Sequence, residues 1–207
     1  MRAYKTVHES AKIELVIQKS RFIGHCMPAA DEETVQEHLG LARKQYYDAS
    51  HNVYAYSLGE LGGIARYSDD GEPGGTAGLP VLEVIRQKGV TDTLVIATRY
   101  FGGVLLGAGG LVRAYAKAAS LAVEAAGIVR LEPGWEIRLT VDYPLYGALE
   151  PLAREYAADV QSEFSDRITM RLKLLRDRLE PFFARVSDLT CGRVQPEILG
   201  ECIIRIR

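Results

Sequence analysis

Apolar positions recur along this chain with two periods, and the places where the period changes mark out its elements. Lys12 to Gln18 and Arg21 to Pro28 are short, β-rich and partly alternating, which predicts two strands joined tightly at Lys19-Ser20. Asp31 is then placed as a helix N-cap, with Glu32 and Glu33 in the first turn, where the helix dipole favours anions. Val35, Leu39, Ala42 and Tyr46 follow at helical spacing and predict a surface helix over a sheet. Asp48 to Leu58 returns to a strand pattern and runs into a glycyl loop at 59–63. Pro80 suits the first turn of a helix over Val81 to Lys88 that Gly89 stops. Thr93 to Thr98 is apolar on both faces and predicts a central strand. A long helix is expected from about Leu111 to Ala126, with Leu111, Ala114, Ala118, Leu121, Ala122 and Ala125 as its buried stripe.

Leu131-Glu132-Pro133-Gly134 breaks the pattern and predicts a linker, giving domains at 1–130 and 131–207. Beyond it the order is strand (Trp135 to Asp142), helix (Pro144 to Ala157), two strands (Val160 to Phe164, Ile168 to Leu175), helix (Leu179 to Leu189) and strand (Glu197 to Arg207). That βαββαβ order is the split βαβ of a ferredoxin-like sandwich, so the class expected for the whole chain is α+β.

Composition narrows the function classes more than it chooses among them. The 207 residues carry 25 Lys plus Arg against 27 Asp plus Glu, a net charge of -2, so no global electrostatic case exists for nucleic acid or membrane. Cys26, Cys191 and Cys202 are dispersed and form no CxxC pair, which predicts buried thiols in a reducing, cytoplasmic setting rather than disulfides or a zinc site. No apolar run approaches the roughly 20 residues of a membrane span.

The candidate chemistry lies where nine of the 20 glycines crowd, in the loops Asp69 to Pro80 and Arg99 to Tyr115. Gly107-Ala108-Gly109-Gly110-Leu111-Val112 ends in valine, against the G-x-G-x-x-G dinucleotide fingerprint, and Gly102 to Gly107 is followed by Ala108 rather than the lysine of a P-loop. What survives is a strand feeding a glycine turn that opens a helix. Amides of Gly109, Gly110 and Leu111 are expected at the positive end of the dipole, with Arg99 and Arg113 placed to fork onto a phosphate or carboxylate. Either arginine could instead pair internally with Asp69, Asp70 or Glu72. Those three acids could hold a divalent cation or share a proton, but no calcium-loop spacing is present, and a turn whose carboxylates cap free amides is the favoured reading. Neither a metal site nor a cofactor is therefore expected. His51 is either a packed side chain or a general base, and Tyr100 and Phe101 are either core aromatics or a stacking platform for bases.

These segments, with Lys19-Ser20-Arg21-Phe22-Ile23 and Ala49-Ser50-His51-Asn52-Val53-Tyr54-Ala55-Tyr56, resemble the YigZ/IMPACT family, in its two-domain bacterial form, over about Lys19 to Ala126. The resemblance implies an N-terminal α/β sandwich similar to the second domain of the fifth small-subunit ribosomal protein. It also implies a ferredoxin-like C-terminal domain similar to the last domain of elongation factor G. Both likenesses point to RNA or the translation machinery, and the family's eukaryotic members imply regulation of translation. The expected function is recognition of RNA, a ribonucleoprotein or a translation factor. Arg99, Tyr100, Phe101, Gly109, Gly110 and Arg113 would make the contacts, and His51, Asp69, Asp70, Glu72 and Thr76 would organise the loops or the ligand. An enzyme acting on a small phosphorylated or peptide-like substrate, and a protein-interaction module with no small ligand, are the alternatives. The family supplies no agreed catalytic residues.

Overall fold

A computed structural model describes residues 1–206 and divides them into two compact units, 4–130 and 131–206, the latter together with 1–3. The protein is α+β, with two five-stranded sheets and five α-helices among the described residues.

The first unit is built on a sheet ordered β2 (Ala11–Ile17), β3 (Ser20–Pro28), β6 (Thr93–Tyr100), β4 (His51–Leu58) and β5 (Ile64–Ser68). All four neighbouring pairs are antiparallel. A short strand β1 (Tyr4–Val7) precedes them and bridges to Val90 through Lys5. The β2–β3 turn is Gln18-Lys19, both at positive φ (45° and 68°), one residue earlier than the sequence pattern places it. Helix α1 (Glu32–Gln45) covers one face, where Val35, Leu39 and Ala42 pack on Ile23, Met27, Leu94 and Ile96. Its N-cap is Asp31, whose carboxylate accepts from the Thr34 amide at 2.8 Å, and this bond holds the Asp31 carboxyl below its ordinary range.

Helices α2 (Gly78–Lys88) and α3 (Gly107–Ala126) cover the other face. Alternation along the strands sends Phe22 and Cys26, Val53 and Ala55, and Val95 and Ala97 towards them. Helix α3 begins at Gly107, four residues before the expected start, and is closed by Gly127. Its buried stripe is Leu111, Ala114, Tyr115, Ala118, Ala119, Ala122, Val123 and Ala126. Leu121 (37% exposed) and Ala125 fall outside it, because two adjacent residues per turn face the sheet rather than one.

The expected linker at 131–134 is not a loop. Strand β7 (Ile128–Val141) runs through Pro133 and Gly134 without a break. In the second unit it is followed by α4 (Tyr143–Tyr156), β8 (Asp159–Phe164), β9 (Ile168–Leu175), a short 3₁₀ turn (Arg176–Arg178), α5 (Leu179–Thr190) and β10 (Glu197–Ile206). Strand β9 lies between β7 and β8, and β10 pairs with β7. Leu149, Ala153, Phe182 and Val186 of the two helices pack on Ile137, Leu139, Met170 and Leu172. Of the three cysteines, only Cys26 is buried; Cys191 is exposed at the end of α5, and Cys202 is partly exposed. The strands missed in the sequence, β1 and β5, are short, and β5 lies at a sheet edge with its side chains largely in solvent.

Candidate functional site

Register brings the site together before any loop does. Arg99, the penultimate residue of β6, stands opposite Phe22 of β3 on one side and His51 of β4 on the other. Their side chains belong to the face covered by α3, where Arg99 is 5% exposed. A guanidinium so deep in a core needs a counter-charge and hydrogen-bond acceptors. Glu72 supplies them: Arg99 Nη1 donates to Glu72 Oε1 at 2.7 Å, and Arg99 Nη2 donates to Ser20 Oγ at 3.3 Å. Phe22 and Phe101 rings flank the guanidinium at 5.6 and 5.4 Å. Arg99 Nε has no hydrogen-bond partner among the described residues, although it is buried.

Glu72 arrives on the loop between β5 and α2, and the other acids of that loop hold it there. Asp69 accepts from the Gly75 amide at 2.9 Å, the Ala77 amide at 3.0 Å and the Gly78 amide at 2.8 Å, so it caps α2 from across the loop. Asp70, in the left-handed region at φ 44°, accepts from the Asn52 amide at 2.5 Å. Thr76 Oγ1 donates to the Pro73 carbonyl at 2.6 Å. With the loop so tied, the Glu72 carboxylate also takes the Tyr115 hydroxyl of α3 on Oε1 at 2.7 Å. Burial first, and that bond second, push the Tyr115 phenol far above its ordinary range. His51 Nδ1 lies 2.7 Å from the Asp70 carbonyl, which can only accept, so this nitrogen carries the proton. The ring's other nitrogen then lies 3.8 Å from Glu72 Oε1.

A cavity of about 400 Å³ opens beside this cluster, within the first unit. His51, Glu72 and Arg99 form its polar wall. Pro73, Phe101, Leu105, Leu106, Ala108 and Leu111 make the rest apolar, and Gly107 completes it. Phe101 (49% exposed) and Leu105 (85% exposed) stand at its rim. Helix α3 starts at this cavity without a side-chain cap. Its first three amides are therefore those of Gly107, Ala108 and Gly109, whereas Gly110 is the first placed to donate within the helix. That is a shift from the expected Gly109, Gly110 and Leu111, and it follows from the earlier start of α3. Gly102 sets how closely the loop can lie: a Cβ there would stand 2.0 Å from the Lys19 carbonyl oxygen.

The residues singled out in the sequence thus fall into three groups. His51, Glu72, Arg99 and Phe101 meet at the cavity. Asp69, Asp70 and Thr76 shape the loop that delivers Glu72. Tyr100 and Arg113 lie apart: the Tyr100 hydroxyl donates to Asp48 at 2.9 Å, and Arg113 is exposed nearly two turns into α3. Ser20, Tyr115, Leu105 and Leu106 were not singled out. Tyr115 alone carried a signal, as the one aromatic in an alanine-rich stripe. Among the described residues no group of three or more His, Cys, Asp or Glu could hold a metal ion, and no helix is long and apolar enough to cross a membrane.

Known proteins share this arrangement of sequence. The Impact N-terminal domain family matches residues 18–123, which contain the whole cluster, and a family described as a domain of unknown function (DUF1949) matches 139–193. IMPACT family member YvyE of Bacillus subtilis is 37% identical over 93% of this chain and 89% of its own length. The chain belongs to the IMPACT family. IMPACT family member YigZ of Escherichia coli is 31% identical, with 86% of this chain and 89% of that protein aligned. A Protein IMPACT homolog of Dictyostelium discoideum is 40% identical over 94 residues, 44% of this chain but 27% of that protein. Among solved structures, a crystal structure of an hypothetical protein covers 97% of this chain and 98% of its own, at 27% identity and a TM-score of 0.61.

Proposed function

We propose that this IMPACT-family chain is a cytoplasmic, translation-associated binding protein that receives an unpaired segment of RNA, free or in a ribonucleoprotein, at the glycine-loop cavity. The observation that carries the reading is the uncapped opening of α3 at a cavity with an exposed aromatic rim, Phe101. Free amides at a helix start favour a phosphate, and an exposed ring favours a stacked base. Arg113, exposed nearly two turns along, lays Nη1 beside Gly109, where a Cβ would stand 3.5 Å from it, and is the cation available to that phosphate. Arg99 contributes differently from the sequence expectation: its charge is matched by Glu72, so it shapes the wall instead of reaching out. The βαββαβ order of the second unit and the strand order of the first support the ferredoxin-like and ribosomal-protein-like folds that the family resemblance implies.

The test is affinity for short single-stranded RNA over a salt series, using the wild type with Arg113→Ala and Phe101→Ala. Phosphate contact requires affinity to fall as salt rises, with a shallower slope in Arg113→Ala, and stacking requires a loss in Phe101→Ala. Binding that ignores salt, or variants that bind as the wild type does, would refute the reading.

A further inference from the structure

Glu72 is almost fully buried, with 4% of its side chain exposed, yet its interactions are one-sided. Arg99 and Tyr115 both donate to Oε1, and His51 Nε2 is nearest to that same oxygen. No hydrogen bond to Oε2 accompanies them among the described residues, and the residue lines the cavity. A carboxylate oxygen is an acceptor only, and one at a cavity wall that takes no donor from the protein is open to a donor from a ligand. The wall around it is apolar, and its nearest cation, Arg99, is already paired, with Nε buried and unsatisfied. A second cation would meet the Arg99 charge at close range. What fits Oε2 is therefore a neutral N–H donor on a flat, apolar body that lies against Phe101 and Leu105.

We propose that the cavity selects guanine, reading the Watson–Crick edge of one unstacked guanosine through Glu72; this rests on the RNA-binding reading above. Guanine alone among the four RNA bases presents two adjacent donors on that edge, N1–H and the 2-amino group, and both can converge on Oε2, since Oε1 already takes Arg99 and Tyr115. Adenine and cytosine set one amino group beside a ring acceptor, which a carboxylate repels. Uracil offers a single N–H between two carbonyls, with the same penalty on both sides. A ring in the cavity leaves its phosphate for the mouth, where Gly107 and Ala108 open α3.

The experiment uses the full chain and two probe sets. The first comprises the 5′-monophosphates of guanosine, inosine, adenosine, cytidine and uridine. The second is a short oligouridylate with one central base varied. Guanosine is expected to bind at least about tenfold more tightly than adenosine, cytidine or uridine, and inosine to fall between, since it keeps N1–H and lacks the amino group. Leu105→Ala, at an exposed position, should weaken all the nucleotides and leave their order unchanged. Glu72→Gln, checked for folding by circular dichroism, should bring guanosine to within about twofold of the others if each lost contact follows the same scale. Should that variant fail to fold, the comparison of guanosine with inosine on the wild type decides alone. Salt-sensitive RNA binding with no base preference overturns the guanine assignment and leaves the RNA reading standing. Guanosine selectivity without binding of the oligomer does the reverse.

Discussion

Glu72 Oε1 and Arg99 Nη1 lie 2.7 Å apart, with 4% and 6% of their side chains exposed. One comes from a glycine-rich loop and the other from the end of a central strand, so the pair ties the loop to the sheet. Attraction between such charges is offset by the cost of dehydrating both, so the pair adds little net stability, but breaking it is expensive. Arg99→Ala and Glu72→Ala should each cost about 3–5 kcal/mol in urea unfolding, as the surviving charge is left buried and unpaired. The double variant should cost less than the sum of the two, and simple additivity would show that the ion pair is not coupled as described.

Removing one hydroxyl asks a narrower question. Tyr115→Phe keeps the edge-to-face contact with Phe22 (ring centroids 5.2 Å apart) and takes away a single donor from Glu72. A hydrogen bond to a charged group is worth about 1.5–3 kcal/mol, and a loss in that range is expected by denaturant titration. No change in the unfolding midpoint would mean that the phenol is dispensable to the cluster.

Asp69 gives a test of the loop apart from the cavity, because it does not line it. Its carboxylate meets two amides at the start of α2, where the N-cap, Ala77, has no side chain to offer. Asp69→Ala should lower stability by about 1–2 kcal/mol, the scale of a lost cap. It should also raise hydrogen exchange at Gly75, Ala77 and Gly78 ahead of the sheet, and uniform exchange across the unit would contradict the local role.

Cys26 makes a prediction about alkaline pH. Burial raises its thiol from 9.0 to about 12. A group whose folded value lies above its unfolded one contributes fully below the unfolded value, and that contribution is lost as pH climbs through the folded one. Stability should therefore fall between about pH 9 and 12, and Cys26→Ala should flatten that part of the profile. In the native protein a thiol reagent should label exposed Cys191 quickly and leave Cys26 untouched until denaturant is added.

Local grammar is legible wherever a residue acts on its neighbours. Asp31 caps α1, Gly89 ends α2 at φ 65°, and β9 has the bounds that its alternation gives. The errors arose where distant parts of the chain decide. Pro133 and Gly134 look like a break, yet Gly134 is where a Cβ would meet Ile204 Cδ1 at 2.4 Å, so glycine there permits close strand packing. Gly107 to Gly110 look like loop, yet they form the first turn of α3, which Gly107 opens at φ 68°, a left-handed backbone that glycine adopts freely. The site was half visible for the same reason. Glycines and charges announced the loops, but the bonds from Arg99 to Glu72 and Ser20, and from Tyr115 to Glu72, span up to 79 positions and depend on register.

That dependence also runs the other way. His51, Arg99 and Phe22 share one rung of the sheet, and moving β6 by a single residue would turn Arg99 to the α1 side, away from Glu72. The neighbouring stretch Leu94 to Ala97 is apolar on both faces and by itself discriminates poorly between alignments. The buried charge therefore serves as a proofreading mark for the central strand, and any slipped sheet would carry an unpaired guanidinium as its penalty.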